Sequence, residues 1–269
     1  MAGHDPHSTH RLTRWHDGGA VAGERCVPEE VPVALTYGRA THAVMMATPL
    51  DLADFGMGFS LTEGIIRSPD DMAEMEVLPG PRGIELRMTL ADERQEALQH
   101  RRRHMAGPVG CGLCGLDSLE ATLRPLPLLP PSGRITPAEI RQALLGLSEN
   151  QALQHATHAV HAAGFWQFDR LALLREDVGR HNALDKLGGA LIRNSIDPGA
   201  GAAVLTSRVS VEMVQKTAML GIGILIAVSA PTALAVRQAE ACGLTLIARA
   251  RDASFEVYSH GERVIGLVR

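Results

Sequence analysis

Two of the four cysteines of this 269-residue chain, Cys111 and Cys114, stand in the run Gly110-Cys-Gly-Leu-Cys-Gly115. Glycine tolerates positive φ and covers none of its neighbours, so such a run builds a loop whose thiols a partner can reach. Several chemistries use a C-x-x-C pair. A zinc site needs two further ligands, yet Cys26 and Cys242 are isolated and no second C-x-x-C follows. A structural disulfide needs an oxidising compartment, and Met1 to Gly23 shows no apolar secretory stretch, which points to the cytoplasm. A thioredoxin-like motif opens a helix after a strand, whereas here the basic run Arg101 to His104 precedes it. There remains a carrier of sulfane sulfur, in which a thiolate takes sulfur from a donor as a persulfide. The nearby cations favour that thiolate.

Four further turns combine hydroxyls, arginines and helix starts. They are Glu176 to Asn182, with Arg180 and His181; Thr206 to Ser210, with Arg208; Ser229 to Thr232; and Arg249-Ala250-Arg251-Asp252-Ala253-Ser254. Each has a plain alternative in helix capping or solvated surface charge, and Pro231 near a helix start explains the third without a ligand. All four, however, follow apolar segments that read as strands, so they line one rim of a sheet, where α/β folds bind ligands. Arginine forks and helix N-termini suit a multiply anionic, nucleotide-like ligand. Neither a dinucleotide fingerprint nor a P-loop is present.

The elements that position these residues divide the chain in two. Residues 27–122 carry strand-like runs at Val31 to Tyr37, His42 to Ala47 and Ile84 to Leu90, with a helix near Leu50 to Ile66, and read as a smaller α+β domain ending in the cysteine loop. Residues 134–269 alternate helices and apolar strands and read as a layered α/β domain. Between them, residues 123–133 hold Pro125, Pro127, Pro130 and Pro131 and read as a linker; residues 1–26 read as a flexible extension. A net charge of −4 and 3% aromatic content disfavour nucleic acid, and no apolar run reaches the roughly 18 residues of a membrane span.

The ordered set Gly58-Phe-Ser-Leu-Thr-Glu-Gly64, Cys111-Gly-Leu-Cys114-Gly115, Glu176-Asp-Val-Gly-Arg-His-Asn-Ala-Leu-Asp-Lys186, Thr206-Ser-Arg-Val-Ser210, Glu212-Met-Val-Gln-Lys216 and Ser229-Ala-Pro-Thr232 resembles the formate dehydrogenase accessory protein family, FdhD, from about Glu29 to Tyr258. The resemblance implies a sulfur carrier that takes sulfur from a cysteine desulfurase on Cys111 and Cys114. It delivers that sulfur to the molybdenum cofactor, a bis-molybdopterin guanine dinucleotide, bound for formate dehydrogenase. It also implies a C-terminal domain of cytidine-deaminase-like fold and a homodimer, with the cofactor's nucleotide on the Arg249 to Ser254 loop. The deaminase zinc signature is absent, since Gly110 rather than proline precedes Cys111, so no metal site is expected. Two other activities fit the same residues: a cofactor-binding chaperone without sulfur transfer, and a dithiol oxidoreductase.

Overall fold

The computed structural model describes residues 5–103, 125–131, 133–167, 169–251 and 254–267. Both Cys111 and Cys114, with Asp252 and Ala253, lie outside them.

In the N-terminal half, β3 (Val31–Tyr37), β4 (Ala40–Ala47), β5 (Met72–Gly80) and β6 (Gly83–Leu90) form a four-stranded sheet in the order β4-β3-β6-β5. The central pair, β3 and β6, is parallel and the flanking pairs are antiparallel. Val33 and Leu35 on β3, with Leu86 and Met88 on β6, alternate inward at the period of a strand. Helix α1 (Leu52–Thr62) covers that apolar face with Phe55 and Phe59. Helix α2 (Asp92–Arg103) follows β6.

The C-terminal half is built from α3 (Pro137–Glu149), α4 (Ala152–Thr157), β7 (His161–Gln167), β8 (Arg170–Asp177), α5 (Arg180–Arg193), β9 (Ala202–Leu205), α6 (Val211–Met219), β10 (Ile224–Ala227), α7 (Ala233–Cys242), β11 (Thr245–Arg251) and β12 (Ser254–Ser259). Its six strands run β12-β11-β10-β9-β7-β8. Every residue of β9 and β10 is buried, as expected of strands covered on both faces. One face packs Leu184 and Leu187 of α5, Val214 of α6 and Ala239 of α7; the other packs Ile140 and Leu147 of α3. Helix α3 starts where it does because Thr136 and Glu139 cap each other's backbone N–H groups and Pro137 presets the first turn. The expected α/β class is the one found.

The halves meet where α1 crosses α5. A Cβ on Gly58 would stand 1.7 Å from the Asp185 carbonyl oxygen, and one on Gly189 would stand 1.9 Å from that of Asp54. Only glycine lets the two backbones approach this closely.

Three features differ from the sequence reading. Residues 5–26 are not simply a flexible extension: β1 (His7–His16) pairs with β2 (Gly19–Pro28) in an antiparallel hairpin. Asp17-Gly18 at its tip, with φ of 108° at Gly18, is the turn signal that marks it. The proline-rich linker is anchored, with Leu129 buried and its N–H donating to the Cys242 carbonyl at 2.9 Å. Finally, β5, β7 and β12 are absent from the sequence reading, β7 because its Ala162-Ala163-Gly164 run carries little strand propensity. No helix among the described residues is long and apolar enough to cross a membrane.

Candidate functional site

Strand β8 is antiparallel to β7, and β7 to β9, while β9, β10 and β11 are mutually parallel. Hence β8, β9, β10 and β11 all end on the same side, and the four polar turns do share one rim.

Beyond β10 and β11 the rim opens into a cavity of about 340 Å³ lined by Val228, Ser229, Arg249, Arg251, Ser254 and Glu256 among others. Arg251 donates from Nε to the Val228 carbonyl at 3.2 Å. Arg249 sits in the left-handed region at φ 50°, a conformation unusual for a side chain of its size, and its Nε lies 3.0 Å from the Glu256 carboxylate. Glu256 also accepts a short hydrogen bond from the Tyr258 hydroxyl. Strand β11 runs through Arg251, so the two arginines project from a strand end rather than a free loop. Ala250 is turned into the core, and the Thr232 hydroxyl caps α7 by accepting from Ala235 N–H.

The turn after β8 is different in kind. Asp177, fully buried, lies 2.6 Å from Lys186 Nζ and accepts from the backbone N–H groups of Thr48 and Gly179 and from Asn182 Nδ2. Asp185 accepts from Thr62 Oγ1 at 2.6 Å and from Lys216 Nζ at 2.9 Å, while Glu63 takes Lys216 from the other side. Burial works against the Lys216 charge, but these two carboxylates outweigh it and hold its pKa above the ordinary value. Asp54 of α1 ties Arg175 and Arg193 of the other half. Most of this motif therefore fastens the N-terminal half to the C-terminal half.

Arg180 and His181, at the start of α5, stay out of that network. Arg180 Nε and His181 Nε2 are shielded from solvent and have no hydrogen-bond partner. Burial lowers the His181 pKa to about 4, reinforced by the Arg180 and Lys216 charges and opposed by Glu212 and Glu63. His161, at the start of β7, is lowered too, first by burial and then by Arg180. Arg208, after β9, is exposed. Sequence reasoning missed Glu256 and His161, each of which reaches the rim only through strand pairing that the sequence does not display.

A family model described as the FdhD/NarQ family matches residues 28–265. The chain is 49% identical over 255 residues to the sulfur carrier protein FdhD of Agrobacterium fabrum, covering 94% of each chain. It is 47% identical over 260 residues to the protein of the same name from Cupriavidus necator, covering 96% of this chain and 90% of that one. A solved structure described as a formate dehydrogenase accessory protein, from Desulfotalea psychrophila, superposes with a TM-score of 0.77 at 26% identity, covering 97% of this chain and all of that one. The chain belongs to the FdhD/NarQ family.

Proposed function

We propose that the protein is a sulfur carrier serving formate dehydrogenase, loaded by a cysteine desulfurase and acting on the molybdenum cofactor, whose guanine nucleotide end occupies the β10–β11 cavity. The observation that carries the nucleotide assignment is the convergence of Arg249, Arg251, Ser229 and Ser254 on one cavity at parallel strand ends. Guanidinium forks match phosphate oxygens, and the two hydroxyls complete a polar wall. The carrier chemistry falls to Cys111, with Cys114 assisting. The thiolate attacks the outer sulfur of the desulfurase persulfide, forming a new S–S bond while the desulfurase thiolate leaves, so the exchange needs no outside oxidant. The names of the relatives support this reading, and a homodimer is its expected working form.

Two measurements test it. Incubation with a desulfurase and cysteine should add about 32 Da per sulfur by intact mass, and Cys111→Ala should lose that adduct. A full adduct on Cys111→Ala and none on Cys114→Ala would reverse the two roles. Titration of GDP by calorimetry should show Arg251→Ala weakened roughly ten- to a hundredfold, the worth of one charge-assisted contact. Unchanged affinity would remove the nucleotide from this cavity.

A further inference from the structure

Two strand edges lie open in this fold. Among the described residues β12, at one side of the six-stranded sheet, pairs with β11 alone, and β1 pairs only with β2. An unpaired edge is a row of donors and acceptors that another strand can complete. The hairpin has a further need of cover. Strand β2 packs against α4, and its last residues, Cys26 to Pro28, are half-buried, but most of the ribbon stands in solvent, with Trp15 70% and Val21 65% exposed. A lone two-stranded ribbon is only marginally stable in water.

The two edges are opposite in charge. Along the later half of β12, Val257, Tyr258, Val264 and Leu267 line a groove of about 700 Å³ together with Glu240 and Glu262. No lysine or arginine lines it; His260 sits between the two carboxylates, 3.4 Å from Glu262 and 2.9 Å from the Glu240 carbonyl. Strand β1 carries Arg11 and Arg14 and no carboxylate, and Glu24 across the hairpin lies 3.9 Å from Arg11 with both side chains in solvent, a weak restraint. Alternation puts Arg11 and Trp15 on one face of β1 and Leu12 and Arg14 on the other, so each face offers a cation and a large apolar group. Pairing β12 with β12 of a second copy would set its carboxylates against their own images, which disfavours it. The hairpin does not meet its own β12 either. Its foot rests on α4, whose first N–H groups bond to Glu176 of β8, and β8 lies five strands, about 24 Å, from β12. We propose that β1 of one copy adds to the β12 edge of a second copy, Arg11 and Arg14 meeting Glu240 and Glu262, and that the contact is returned about a two-fold axis. This names the contact within the homodimer expected above and rests on that expectation.

Charge exchange tests it. Sedimentation of the full chain reads the dimer, whose dissociation constant should rise at least tenfold in the double variant Arg11→Glu/Arg14→Glu and again in Glu240→Lys/Glu262→Lys. All four residues are exposed, so melting temperatures of the monomers should stay together. Mixing the two double variants should restore the dimer, since an acidic arm then meets a basic groove and a basic arm an acidic one. A parent chain that stays monomeric would overturn the homodimer and this contact together. A parent dimer whose affinity survives both reversals, or a mixture that stays monomeric, would overturn the contact and leave the homodimer standing on another surface.

Discussion

Lys186 Nζ lies 2.6 Å from the Asp177 carboxylate, and neither side chain has any solvent exposure. The amine also donates to the Thr48 carbonyl, so an element of the N-terminal half completes a pair whose members belong to the C-terminal half. Removing one partner strands the other charge in the interior. Lys186→Met should cost about 3–5 kcal/mol in urea unfolding, and adding Asp177→Asn should recover part of that loss. A loss under about 1 kcal/mol would show that the pair is not needed to neutralise Asp177.

The helix crossing separates glycines that look alike in sequence. At Gly58 and Gly189 a Cβ would meet backbone, whereas at Gly188 it would meet the Leu220 side chain, which can turn aside. Gly58→Ala and Gly189→Ala should each lower stability by at least about 1–3 kcal/mol, and Gly188→Ala by less. Melting temperatures of the three variants check the ordering.

His181 gives the protein an acid-sensitive term. Its folded pKa of about 4 lies below the ordinary 6.5, so between these values the unfolded chain binds more protons. The stability it contributes is fully present above pH 6.5 and is lost as the pH falls toward 4, up to about 3 kcal/mol. Denaturant midpoints of His181→Gln should fall less over that window than those of the parent protein. Parallel pH profiles would contradict the assignment.

Glu256 competes with any anion for Arg249, which it holds at 3.0 Å. Glu256→Gln should therefore tighten GDP binding severalfold, with the gain shrinking at high salt. Weaker binding would mean that the carboxylate positions Arg249 rather than competing for it.

Cys242 is buried on α7, its thiol donates to the Ala239 carbonyl, and burial pushes its pKa up. It should resist iodoacetamide in the folded protein and react only after denaturation. Labelling followed by peptide mass spectrometry checks this and shows whether sulfur adducts can arise there.

The rim was legible because each of its turns follows a short apolar strand, and the alternation of strand and helix forces those strand ends to one side. The role of the Glu176 to Lys186 motif was not. Its density of charge looks like a ligand loop, but much of what satisfies it, the Thr48 N–H, the Thr62 hydroxyl and the Lys216 amine, comes from distant segments. Periodicity places apolar residues on faces; it does not report which buried carboxylate meets which amine. Arg249 and Arg251 were readable as charges at the end of a strand, while the intervening Ala250 followed its strand's alternation into the core.

The glycine crossing also bears on how the chain is made. Thr48 and Asp177 bond to each other across 129 residues, so on a ribosome α1 emerges on the order of ten seconds before α5. Throughout that interval Asp54 and the bare Gly58 surface have no counterpart. The N-terminal half must wait, incompletely settled, for the C-terminal half, and nascent chains stalled before residue 180 should be held by chaperones or degraded rather than accumulate as a finished domain.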